Sequence, residues 1–137
     1  MNTADIYEKW ERLNPQERDA WVATEVMGWR KVSRPGGGGG YVGWQDETGR
    51  VVAIENDCTM HTGPSDWFRP SRNIKSAWII VEKSREWGGI EMGCFSSWNT
   101  VNTYDRASRP VQVTNDSAAE AICLAAIIAR CSDICVE

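Results

Sequence analysis

Apolar residues change their spacing along the chain, and each change marks a different element. Ile6, Trp10 and Leu13 recur at helical spacing behind Thr3 as N-cap, predicting a helix over 3–13. Asn14-Pro15 restarts the chain. Asn14 suits a cap, Pro15 the first helical position, and Glu17 and Asp19 the positive end of the dipole. Ala20, Val22, Val26 and Met27 then predict a second helix over 15–27, stopped by Gly28.

From Trp29 the pattern is that of strands. Residues 29–33, 41–45 and 51–54 read as strands, with Arg34-Pro35 and Gly36 to Gly40 forcing a loop and Thr48-Gly49 a hairpin turn. Residues 56–70 are loop-like. A third helix, from Ser71 or Asn73 to Trp87, carries Ile74, Ala77, Trp78 and Val81 as its buried stripe and stops at Gly88-Gly89. Residues 90–97 and 111–114 read as two more strands joined by a long polar connection over 99–110. Ser117-x-x-Glu120 reads as a capping box opening a fourth helix over 118–130, apolar nearly all round and therefore deeply buried. The order ααβββαββα predicts one α+β domain over 1–137, helices packed on an antiparallel sheet.

Composition narrows the function. Fifteen basic against nineteen acidic residues give a net charge of −4, which lacks the positive excess of a duplex-DNA binder. No apolar run approaches the roughly 20 residues of a membrane span, and Met1 to Asp5 carry no signal-peptide pattern. Five cysteines (Cys58, Cys94, Cys123, Cys131, Cys135) without a CxxC read as reduced cytosolic thiols rather than a disulfide scaffold or zinc ribbon. Eight tryptophans are several times ordinary usage and call for core or binding roles.

Three segments carry a resemblance. Glu25-Val26-Met27-Gly28-Trp29 closes the second helix. Phe68-x-Pro70-Ser71-x-x-Ile74-x-x-Ala77-Trp78-x-x-Val81-Glu82-Lys83 opens the third. Ala118-x-x-Ala121-Ile122-Cys123-x-Ala125-Ala126 lies in the last. In this order they resemble the phage ABA-sandwich domain family, small proteins of tailed phages and prophages, from about Pro15 to Arg130. The resemblance implies an αβα sandwich, helices on both faces of a small antiparallel sheet, and a viral origin. It implies no reaction, since fold alone does not fix function. The Gly36 to Gly40 loop, the Trp67 region and the Asn99 to Arg109 connection depart from the family core. The same motifs have a plain structural reading: Gly28 as helix C-cap, Trp29 plugging the core, Ser71 capping, Trp78 packing a helix on the sheet.

Catalytic chemistry finds little support. His61 is the single histidine, three residues after Cys58 in a loop, a poor geometry for a thiolate pair. Cys131-x-x-x-Cys135 with one distant histidine does not make a zinc set. No Lys-Ser/Thr follows the glycine run as in a P-loop. The expectation is a non-enzyme with no cofactor and no metal.

What recurs is arginine beside an aromatic. Arg34 precedes the glycine run; Trp67, Arg69 and Arg72 precede the third helix, whose N-terminus is an anion site; Trp98, Tyr104, Arg106 and Arg109 mark the long connection. Guanidinium forks hold phosphates and aromatic faces stack on bases, so these clusters could line one pocket for a small anionic nucleotide. Equally, Trp44, Trp67 and Trp98 could wedge the sheet edges beside solvated arginines, or the residues could form a protein interface. Joined to a phage origin, the first reading gives a homo-oligomeric anti-defence sponge in the host-cell cytoplasm, sequestering a cyclic nucleotide or ADP-ribose signal of host immunity. The alternative is a module that binds and blocks a host or phage protein.

Overall fold

The computed structural model describes residues 1–34, 41–57, 68–94 and 98–132. Helix α1 (Thr3–Arg12) is capped by Asn2, one residue before the expected Thr3; the Asn2 side chain accepts the Asp5 N–H at 2.8 Å. Helix α2 (Pro15–Glu25) opens on a reciprocal capping box. Asn14 accepts the Glu17 N–H at 2.8 Å and Glu17 accepts the Asn14 N–H at 2.9 Å, a pair of bonds worth about 1 kcal/mol. Gly28, at φ +71°, turns the chain out of the helix while the Trp29 N–H reaches back to the Ala23 carbonyl at 3.0 Å.

Strands β1 (Arg30–Arg34), β2 (Tyr41–Gln45) and β3 (Val51–Asp57) form an antiparallel sheet in that order. Helix α3 (Ile74–Lys83) runs into a 3₁₀ turn, Ser84–Trp87, and Gly88 and Gly89 end it with positive φ. A second antiparallel sheet follows, β4 (Glu91–Cys94), β5 (Asn99–Tyr104) and β6 (Pro110–Asn115), before α4 (Ala118–Cys131). The protein is α+β, its described strands divided between two three-stranded sheets.

Two expectations need correction. The polar connection over 99–110 is mostly strand: β5 lies between β4 and β6, and only residues 105–109 turn. Val101 and Thr103 face inward while Asn102 and Tyr104 face out, so a polar, β-branched alternation makes a half-buried strand. The buried stripe of α3 is Ser76, Ala77 and Ile80, whereas Ile74 and Trp78 are exposed. Small side chains let α3 approach the alanine-rich α4, and that close packing decides which of two apolar faces turns inward.

Helix α4 is the centre of the fold. Every residue from Ala121 to Ala129 is buried. It packs on β5 and β6, whose Val101 and Val113 are paired in register, and against α1, α2 and α3. The Ser117 hydroxyl accepts the Glu120 N–H at 3.2 Å. The Glu120 carboxylate does not complete a capping box. It takes Arg18 of α2 at 2.7 Å and the Trp10 indole of α1 at 3.3 Å, tying three helices at one point.

Candidate functional site

The turn between β5 and β6 is built around one carboxylate. Asp105 Oδ1 accepts the N–H groups of Ala107 at 2.8 Å and Arg109 at 2.9 Å, and Arg109 Nε donates to Oδ2 at 2.8 Å. Ser108 sits at φ +61°, and its N–H donates to the Asp105 carbonyl at 2.9 Å. Burial of Asp105 pushes its carboxyl up. The Arg109 and Ala107 N–H groups and the Arg109 guanidinium outweigh that and hold it below the usual carboxylate range.

Beside this turn lies a pocket of about 400 Å³, within the size range of small-ligand sites. Asp105, Arg109 and Gln112 line it from the hairpin, Asn2 and Thr3 from the start of α1, and Ser132 from the end of α4. The two helix ends bring opposite signs, the positive N-terminus of α1 and the carbonyl end of α4. Ser132 is buried, and its Oγ has no hydrogen-bond partner among the described residues. A buried hydroxyl left without a partner costs about 1–3 kcal/mol, so a polar ligand atom would have something to satisfy there.

A second arginine corner already holds a buried carboxylate. Asp19 of α2 is 1% exposed; its Oδ1 accepts the Ser71 N–H at 2.7 Å and its Oδ2 accepts Arg72 Nη2 at 2.7 Å and Nε at 3.1 Å. The segment entering α3 does hold an anion, as its sequence suggests, but that anion is the chain's own carboxylate.

Of the eight residues singled out from the sequence, the structure therefore places Arg109 in the pocket wall and Arg106 in the same turn, exposed. Tyr104 ends β5 on the opposite face from Thr103, exposed and near Gly88. Trp98 precedes the other end of the strand, about 20 Å away at ordinary strand rise. Arg72 is held by Asp19. Arg69 is half-buried, its N–H donating to Ser76 Oγ at 3.2 Å. Arg34 ends β1. Trp67, the Gly36 to Gly40 loop, the Cys58–His61 pair and Cys135 lie outside the described residues. Trp44 is fully buried in the core.

Sequence reasoning gave Thr3 and Asp19 only helix-terminal roles and gave Asp105 and Ser132 none. Asp19 carried a signal: it falls at helical spacing with the buried Val22, Ala23 and Val26, and an acid on an apolar stripe calls for a buried partner.

Burial pushes the Cys123 thiol well up, and burial with the Glu25 carboxylate raises Cys131 to about 11, so both stay protonated at neutral pH. Among the described residues no group of three or more His, Cys, Asp and Glu is placed to hold a metal ion. No described helix is long and apolar enough to cross a membrane.

The phage ABA sandwich domain model matches residues 20–127, most of the chain. The chain belongs to the phage ABA sandwich domain family. A phage protein from Bacillus cereus ATCC 14579, known from a crystal structure, is similar at 18% identity over 85% of this chain and 87% of its own, with a TM-score of 0.55. At that identity the likeness concerns the fold. No curated protein matches the sequence. The family match takes in α3, both sheets' strands from β1 onward and α4 as far as Ile127, but begins after α1. Asn2 and Thr3 in the pocket wall thus fall outside it, as does Ser132.

Proposed function

We propose that this phage ABA sandwich protein binds a small anionic nucleotide in the pocket beside the β5–β6 turn and acts by sequestering it, as an anti-defence protein removing a cyclic nucleotide or ADP-ribose signal would. The observation that carries the reading is the pocket itself, where Arg109, the N-terminus of α1 and the Ser132 hydroxyl converge. Its mixed polarity favours a nucleotide over a bare anion. Arg109 and the opening N–H groups of α1 suit a phosphate, with Arg106 in the same turn to add charge at the rim. Asp105 and the carbonyl end of α4 suit the N–H donors of a base. Aromatic stacking by Trp67, Trp98 or Tyr104 is not part of this pocket-centred reading, nor are phosphate roles for Arg34, Arg69 and Arg72.

A thermal-shift screen against cyclic dinucleotides, cyclic trinucleotides, ADP-ribose isomers and plain nucleotides tests it, because binding to the folded state raises apparent stability by mass action. A rise with one class, lost in Arg109→Ala, is the expected result. A flat response to every class overturns the reading.

A second reading, a module that binds and blocks a protein, is favoured by a different observation. Ile74, Trp78 and Ile79 leave an apolar face of α3 in solvent. It predicts no nucleotide response and a partner-dependent loss of Trp78 exposure.

A further inference from the structure

Helix α3 turns Ser76, Ala77 and Ile80 inward and leaves three large apolar side chains outward. Trp78 is 50% exposed, Ile74 48% and Ile79 39%. Lys75 and Glu82 are exposed on the same outer side, and among the described residues neither makes an ion pair. Lys83, by contrast, is paired with Glu86 at 2.7 Å.

The placement of those two charges is unfavourable within one chain. Lys75 sits in the first turn of α3, at the positive end of its dipole, and Glu82 sits in the last turn, at the negative end. Both signs are reversed from what an isolated helix prefers. A second α3 laid antiparallel corrects both at once, because it brings a carboxylate and a helix C-terminus to Lys75 and an ammonium and a helix N-terminus to Glu82. Reciprocal pairing of these charges selects one register, centred between Trp78 and Ile79 at the midpoint of Ile74–Lys83. A two-fold axis there sets Lys75 against Glu82 of the second copy, twice, and Trp78 against Ile79 of the second copy, twice. This is the self-complementary pattern an isologous interface requires.

We propose that the outer face of α3 (Ile74, Lys75, Trp78, Ile79 and Glu82) is the surface on which a second copy of this chain docks, antiparallel about that axis. The interface has an apolar centre of tryptophan on isoleucine and a charged rim of two reciprocal pairs, the usual division between affinity and register. It lies on α3 and shares no residue with the pocket, so its fate and that of the nucleotide reading are independent.

Sedimentation of the full chain over a micromolar concentration series tests it, with circular dichroism to confirm folding. The wild type is expected to dimerise, and Trp78→Asp to be a folded monomer. Lys75→Glu and Glu82→Lys each turn two attractive contacts into repulsive ones and should weaken the dimer about tenfold. The double variant Lys75→Glu/Glu82→Lys restores both pairs and should return to within about threefold of wild type. A wild type that stays monomeric throughout, a dimer indifferent to Trp78→Asp, or a double charge swap no better than the singles would overturn the proposal. A monomer that loses Trp78 exposure only to a different protein would overturn it too.

Discussion

Asp19–Arg72 and Asp105–Arg109 are two versions of one device, a buried carboxylate gripped by an arginine and by backbone N–H groups. They differ in reach. Asp19 joins residues 53 apart in sequence, clamping α2 to the start of α3, and its arginine is committed to that clamp although its side chain stays 40% exposed. Asp105 holds an arginine four residues away, so the pair organises only its own turn. It borders open space of about 400 Å³. The first corner shows how an arginine at a helix N-terminus can look like a phosphate site and be a structural clamp. The second shows what a ligand site needs besides arginine: room, a helix terminus at its wall, and a polar atom without a partner among the described residues.

The two corners differ most at Arg72. Arg72→Ala leaves the Asp19 carboxylate buried with the Ser71 N–H as its remaining donor from this corner, and should cost about 3 kcal/mol in denaturant unfolding. Arg109→Ala should cost about 1 kcal/mol, because Asp105 keeps two backbone donors in the turn. If the two losses are equal, the distinction between clamp and local turn is wrong.

Acid acts on the Asp105 turn. Because its folded value is depressed, Asp105 contributes stability that is fully present above the ordinary aspartate value of about 3.9 and is lost as pH falls through the lower folded value. Asp46, in the β2–β3 turn, is also lowered, first by its hydrogen bond from Thr48, and acts in the same direction. The stability gap between wild type and Asp105→Asn should therefore be widest near neutrality and narrow below about pH 4. A gap that is constant with pH would show that Asp105 supplies only its hydrogen-bonding shape.

The smallest expected effect is at Ser132. Without ligand, Ser132→Ala removes a buried hydroxyl that has no partner among the described residues, so stability should hold or rise by up to about 1 kcal/mol. A clear loss of stability would mean the hydroxyl is already satisfied and the pocket has one attraction fewer.

Helix boundaries, the depth of α4 and the α+β class were legible because caps and periodic stripes act locally: Asn14-Pro15, Gly28 and the unbroken run after Ser117 each announce themselves. What was not legible depended on partners distant in sequence. Trp78 and Ala77 lie on overlapping apolar faces, and only the alanines of α4 decide that Ala77 goes inward. Strand β5 was hidden by its polar residues, since a strand with one solvated face reads as loop when its inward positions are Val101 and Thr103. At the candidate site, Arg109 could be named in advance, but its pocket could not. The walls come from Thr3, Gln112 and Ser132, brought together only by the docking of α4 on the hairpin and of α1 on α4.

The most direct measurement is calorimetric titration of the best-responding nucleotide into wild type, Arg109→Ala and Arg72→Ala under conditions where all three are folded. If the Asp105 corner is the open one, binding is lost or weakened at least tenfold in Arg109→Ala and kept within about threefold in Arg72→Ala. Binding that survives Arg109→Ala and disappears with Arg72→Ala would contradict the account and move the site to the start of α3.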